Sequence, residues 1–177
     1  MPIIALIGPS GAGKSTLVDY YIKQHPDARL HKSITTRPIR GEGDTSHRFA
    51  SDEEFDRLAA AGELIKPVEA FGYRYAITKI PECDGITFVL LRYQFVEEFK
   101  LFYPEAKVIQ IEAPVEVLLE RIVGRGDTSR ADADVMQAEI IAGRKIANYR
   151  LETPTKFSTI FTDFEKTCAK ACLPSEG

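Results

Sequence analysis

Residues 3–7 form a short, almost wholly apolar run that glycines follow at once, the pattern of a strand buried on both faces of a parallel sheet. Similar runs recur at 85–91 (GITFVLL), 106–113 (AKVIQIEA) and 157–161 (FSTIF). Helical periodicity separates them at 14–24, stopped by His25 and Pro26, and then at 94–102, 115–123 and 133–149. Strands alternating with helices imply right-handed crossovers and a parallel sheet covered on both faces, an α/β doubly wound class. Residues 33–77 break the alternation. They hold a polar, glycine-bearing loop, then a helix opened by SDEE, with Ser51 as N-cap and Glu54 closing a capping box. Two β-like stretches follow, ELIKPVEAF and YRYAI, joined near Gly72. The segment reads as a small lobe inserted between core residues 1–32 and 78–177. No internal repeat or low-complexity tract is visible.

At 177 residues the chain has the length of one domain and can bury a substantial core. Hydrophobic residues make up 44% and charged residues 28%, with a net charge of −3, so it reads as an ordinary globular protein and not as a nucleic-acid binder. Any basic site must therefore be local. No apolar run reaches the ~18 residues that a membrane span requires. Cys83, Cys168 and Cys172 are an odd number without a secretory leader, which makes a reducing cytoplasm the simplest compartment. Cys168 and Cys172 lie four apart on an expected C-terminal helix, but no histidine or third cysteine stands near enough in sequence to complete a metal site.

Residues 8–16 read GPSGAGKST, the phosphate loop G-x-x-x-x-G-K-[ST] in the context it needs, after a strand and opening a helix. Gly8, Gly11 and Gly13, with Ser10 and Ala12 between them, permit backbone angles that turn consecutive N–H groups inward on phosphate oxygens. Lys14 brings a charge to the β and γ phosphates, Ser15 offers a hydroxyl to Mg²⁺, and Thr16 follows in the first turn of a helix whose N-terminus is partially positive. Composition alone yields such a match on the order of once per hundred or more chains of this length. A nucleoside triphosphate with Mg²⁺ is the expected ligand.

The loop does not name the reaction. A GTPase would carry a base-reading N-K-x-D, which is missing, and a motor ATPase would end a core strand in an acid where FVLLR ends in Arg92. A small-molecule kinase needs a second anion site and mobile cations around the phosphoryl group in flight. Arg37 and Arg40, preceded by Ser33, Thr35 and Thr36, suit a phosphate monoester, although that stretch taken alone reads more simply as solvated surface. In ERIVGRGDTSR, Arg121 and Arg125 end a helix, and Gly126 and a polar run with Arg130 precede the next, the layout of a lid at about 124–134. Arg144 is a further candidate.

Together, GPSGAGKST, SITTRPIRGE, FASDEEFDRL, GELI, FGYRYA and ERIVGRG resemble the guanylate kinase family over nearly the whole chain, from residue 3 to about 161. The resemblance implies a P-loop three-layer fold with an acceptor-binding lobe and a lid. It also implies transfer of the γ-phosphoryl group of ATP, with Mg²⁺, to a nucleoside monophosphate. On this resemblance Ser33, Arg37, Arg40 and Tyr75 hold the acceptor phosphate, Glu42 is an acid near the phosphates, and Arg121 and Arg125 belong to the lid, with Arg125 flanking adenine.

The departures bear on the acceptor. Where the family reads guanine with an acid and a hydroxyl, this chain has Lys66 and Ile77; Leu90 and Arg92 stand where a strand-end acid is expected, and His47 replaces a phosphate-binding tyrosine. A guanine edge presents N–H donors, which an ammonium cannot accept. Lys66 and Arg92 either read an acceptor with carbonyls or extra negative charge, or Lys66 points to solvent and the alignment slides by a residue or two. His47, charged near neutral pH, would make acceptor binding pH-dependent. The acceptor is expected to be a small phosphorylated molecule, with a sugar-phosphate kinase resembling ribose bisphosphate kinase, or a non-catalytic binding module, as alternatives. Monomer and homodimer are both compatible with the sequence, and neither a membrane nor a nucleic-acid partner is expected.

Overall fold

The computed structural model describes residues 1–39, 47–70, 72–124, 126, 132–153 and 159–173. Along these the chain runs β1 (Ile3–Ile7), α1 (Lys14–Gln24), β2 (Arg29–His31), β3 (Ile34–Thr35), β4 (Arg48–Phe49), α2 (Asp52–Ala60), β5 (Leu64–Ala70) and β6 (Tyr73–Thr78). It continues through β7 (Thr87–Leu90), α3 (Val96–Phe102), β8 (Lys107–Glu112), α4 (Val115–Val123), α5 (Ala133–Ile146), β9 (Tyr149–Glu152) and α6 (Ile160–Ala171).

Five strands make a wholly parallel sheet in the order β2-β7-β1-β8-β9. Central β1 is buried at every position, which is why its sequence is apolar without alternation. Ile4, Leu6, Phe88, Ile109 and Ile111 pack on one face against Leu17 of α1, Leu118 of α4 and Phe164 of α6. Ile3, Ala5, Ile7, Val89 and Val108 pack on the other against Phe99 of α3 and against Ile65 and Ile77 of a second sheet. The α/β class expected from the sequence is the observed one.

The second sheet has the order β4-β3-β6-β5. Its β5–β6 hairpin turns at Gly72, whose φ of 75° a β-carbon would oppose. The helix α2 covers its far face, with Ser51 accepting from the Glu54 N–H at 3.1 Å and Phe55 buried beside Ile34 and Ala76. No helix among the described residues is long and apolar enough to cross a membrane.

Two sequence expectations are corrected. The helix expected over 133–149 ends at Ile146, because Ala147 turns extended and Asn148 exchanges two 2.8 Å hydrogen bonds with Val108, seating the chain on β8. Tyr149 and Leu151 then face inward and Arg150 and Glu152 outward, a two-residue period that also fits the tail of a helical stripe. The last strand expected at 157–161 is therefore displaced to β9. Residues 157 and 158 lie outside the described ones, and Ile160 opens α6, whose inward stripe is Ile160, Phe164, Cys168 and Ala171. Cys168 is buried there, and Cys172 is exposed at the C-cap. The short strands β2, β3 and β4 were not signalled by any apolar run.

Candidate active site

The chain leaves β1 into the glycine-rich loop and enters α1 through Gly13, which has φ 90° and caps no N–H with a side chain. No side chain caps the first turn of α1, the arrangement that helix N-terminal anion sites share. Gly8, at φ 132°, lies against the Ile111 carbonyl of β8 so closely that a β-carbon would overlap it. Lys14 folds back over the loop, with Nζ donating to the carbonyls of Gly8 at 2.6 Å and Pro9 at 2.9 Å. Ala12 is buried, whereas Ser15 and Thr16 are exposed. From α4, Arg121 reaches the same loop, donating to the Gly11 carbonyl at 3.2 Å and to Thr153 Oγ1 at 3.0 Å.

The second sheet gathers another polar cluster. Ser33 Oγ lies 2.6 Å from His47 Nδ1, and the His47 ring stands edge-on to Tyr75 at 5.7 Å and to Phe49 at 6.5 Å. The Arg37 guanidinium lies 5.2 Å from the Phe49 ring centre. Arg37 is only 6% exposed, with its N–H bonded to Thr35 Oγ1 at 3.1 Å and Nη1 to the Pro38 carbonyl at 2.9 Å. A buried arginine, a hydroxyl, an imidazole and a phenol on one short sheet form a donor set suited to a phosphate monoester. Arg40, Glu42, Arg125 and Arg130 lie outside the described residues, as does most of the expected lid.

Other expected readers are engaged elsewhere. Lys66 takes φ 48° at a bulge between Ile65 and Val68 and pairs with Glu98 of α3. Arg92 pairs with Glu139 of α5 at 3.4 Å. Ile77 is 7% exposed within the apolar layer of Ile65, Leu91 and Phe99. Arg144 grips the Glu112 carboxylate with both Nε and Nη2, at 2.9 and 2.7 Å, and that carboxylate raises its pKa further. Among the described residues no cluster of His, Cys, Asp or Glu could hold a metal ion by itself. Sequence reasoning missed Thr153 because the last strand was misplaced, and Glu112, though inside an expected strand, because its partner Arg144 is distant in sequence; with β9 ending at Glu152, Thr153 becomes a strand-end residue beside the loop.

The family model described as an AAA domain matches residues 3–147. The guanylate kinase of Streptomyces coelicolor is 37% identical over 132 residues, which cover 70% of this chain and 67% of that protein. The guanylate kinase of Frankia casuarinae is 30% identical over 182 residues, covering 98% of this chain and 95% of that protein. The chain is an AAA-domain protein of the guanylate kinase family. In keeping with that family, the crystal structure of guanylate kinase from Anaplasma phagocytophilum superposes with a TM-score of 0.71 at 21% identity, covering 98% of this chain and 87% of that one, a likeness of fold.

Proposed function

We propose that the protein is an ATP-dependent kinase that moves the γ-phosphoryl group to a small phosphorylated acceptor held by the second sheet, a nucleoside monophosphate that need not be GMP. The observation that carries this reading is the pairing of an intact phosphate loop with the Ser33–His47–Tyr75–Arg37 cluster. Two anion sites of this kind are what phosphoryl transfer between phosphates requires, since positioning and charge stabilisation supply most of the rate. Lys14 neutralises charge on the transferring group, and Arg121 adds to it, with Arg125 by family resemblance and Arg130 by its place in the expected lid. The acceptor phosphate is already ionised and needs no general base. Mg²⁺ enters as part of the MgATP substrate. The exposed Ser15 hydroxyl would help hold it where β7 ends without an acid, and the ion's charge would offset that of the phosphates.

GMP is disfavoured because neither the Ile77 side chain, buried among apolar neighbours, nor the Lys66 ammonium, paired with Glu98, can accept from a guanine edge. The same facts favour, as a second reading, a phosphorylated sugar as acceptor. A purely non-catalytic module has no use for Lys14 held at the loop by two carbonyls. The three free cysteines support a cytoplasmic setting, and both monomer and homodimer remain open to this chemistry. The test is ADP release from ATP and Mg²⁺ against nucleoside monophosphates, their deoxy forms and phosphorylated sugars, with Lys14→Ala as control. Acceptor-dependent turnover absent in the control supports the kinase. Turnover with GMP alone overturns the acceptor assignment, and silence across the panel despite ATP binding favours the binding module.

A further inference from the structure

We infer that Thr153 is a positioning residue for the phosphate loop: its buried hydroxyl, set between the Ala12 and Glu112 carbonyls and the Arg121 guanidinium, fixes the facing of the loop's peptide groups and thereby nucleotide affinity. The inference rests on the reading of that loop as the nucleotide site. Thr153 is 0% exposed. Its N–H donates to the Glu112 carbonyl at 2.7 Å, continuing the β8–β9 pairing past Glu152. Its Oγ1 lies 3.1 Å from the Ala12 carbonyl, 3.2 Å from the Glu112 carbonyl and 3.0 Å from Arg121 Nη1. One hydroxyl has one proton and two lone pairs, so it accepts from Arg121 while its proton goes to one of the two carbonyls it faces, of which the Ala12 oxygen is the nearer and the Glu112 oxygen already accepts the Thr153 N–H.

Arg121 Nη1 also donates to the Gly11 carbonyl, so two consecutive loop carbonyls are held by one pair of side chains. In a planar trans peptide the C=O and the following N–H point opposite ways. Drawing the Gly11 carbonyl toward Arg121 turns the Ala12 N–H the other way, where it lies 3.3 Å from the Pro9 carbonyl. Drawing the Ala12 carbonyl toward Thr153 turns the Gly13 N–H away from Thr153 in the same manner. The peptide joining Ala12 to Gly13 needs an anchor, because Gly13 at φ 90° has no β-carbon to oppose a flip. Thr153 is a stiff anchor: it is β-branched and its backbone is locked to β8.

The experiment compares full-length wild type, Thr153→Val and Thr153→Ser in direct ATP binding with Mg²⁺ by calorimetry, and in KM for ATP against KM for the acceptor identified above. The valine keeps shape and β-branching but removes the hydroxyl. We expect about tenfold weaker ATP binding and a matching rise in the KM for ATP, with the KM for the acceptor within about twofold, and recovery in Thr153→Ser. A merely structural hydroxyl would lower stability and leave this split unmoved. Equal ATP affinity in wild type and Thr153→Val overturns the inference, as does an equal loss in Thr153→Ser. If Thr153→Val does not fold, Thr153→Ala is set against Thr153→Ser under the same criterion. A wild type that binds no ATP instead overturns the nucleotide reading of the loop.

Discussion

Replacing Gly8 by alanine tests how closely the phosphate loop is fitted to the sheet. Gly8 carries φ 132°, a region that L-residues adopt at a cost of about 1–3 kcal/mol. The new β-carbon would overlap the Ile111 carbonyl oxygen and lie 3.1 Å from the carbonyl carbon. Ile7 pairs with Gln110, so the obstruction falls where β1 and β8 run side by side at their C-terminal ends. Neither strand can retreat, since both are buried between helices. Relief by forcing them apart resembles overpacking, at about 1–3 kcal/mol more. The sum, about 2–6 kcal/mol, is a large share of the ~5–15 kcal/mol that holds a domain folded, and corresponds to a Tm lower by about 5–20 °C. Gly62→Ala is the control: Gly62 has φ 67° but no atom within 4 Å of an added β-carbon, so only the backbone cost of about 1–2 kcal/mol applies. Thermal and urea unfolding followed by circular dichroism read both variants. Gly8→Ala within about 0.5 kcal/mol of wild type, or no worse than Gly62→Ala, would refute the steric argument.

Gln110 is 0% exposed and neither of its side-chain polar atoms has a partner among the described residues, so Gln110→Leu is expected to stabilise by about 1–2 kcal/mol in urea unfolding; a loss instead would point to a buried water bonded to the amide. His31 Nε2 sits 2.9 Å from the Thr78 carbonyl, and burial, aided by Arg29 and Arg48, lowers its pKa from the ordinary 6.5 against the opposing Thr78 hydrogen bond. The unfolded chain therefore binds this proton more readily, and stability should fall as pH drops below 6.5 toward the lowered folded value. Unfolding free energies measured from pH 7.5 to 5 should show that slope in wild type and lose its His31 share in His31→Gln; identical slopes would exclude the assignment.

The parts legible in the sequence are those whose cause is local. The loop and α1 follow from one motif and its flanking strand, and the structure begins and ends α1 at Lys14 and Gln24, as the spacing indicates. Ser51 and Glu54 announce α2 because capping is settled within four residues. The strand β9 was hidden for the opposite reason: Asn148 stops α5 by bonding to Val108, forty residues away in sequence. Thr153 has no motif at all, and its role arises only when β8, β9 and the loop meet. Lys66 is an intermediate case. Its partner Glu98 is distant, but Pro67 beside it lacks the N–H that a ladder needs, so a bulge at that point was readable from ELIKPVEAF.

That bulge bears on what the second sheet can hold. Ile65 pairs with Ile77 and Val68 with Tyr75, so two residues three apart on β5 present the same face, which a regular strand would forbid. The extra residue absorbed at Lys66–Pro67 throws Lys66 into positive φ and onto α3, and leaves Ile65, Val68, Tyr75 and Ile77 as one face. Thr35 and Phe49 extend the face toward Arg37, His47 and Ser33. It is therefore polar and cationic at one end and aliphatic at the other, with no carboxylate among these residues. An acceptor held there as proposed would gain affinity from its phosphate, through charge-assisted hydrogen bonds. The remainder would be selected by shape and by the cost of desolvating donors that find no partner. Ile65 and Ile77 are themselves buried against Phe99 and the parallel sheet and offer no hydrogen-bond acceptor, so discrimination should grow with the number of N–H groups an acceptor would leave unpaired at the polar end.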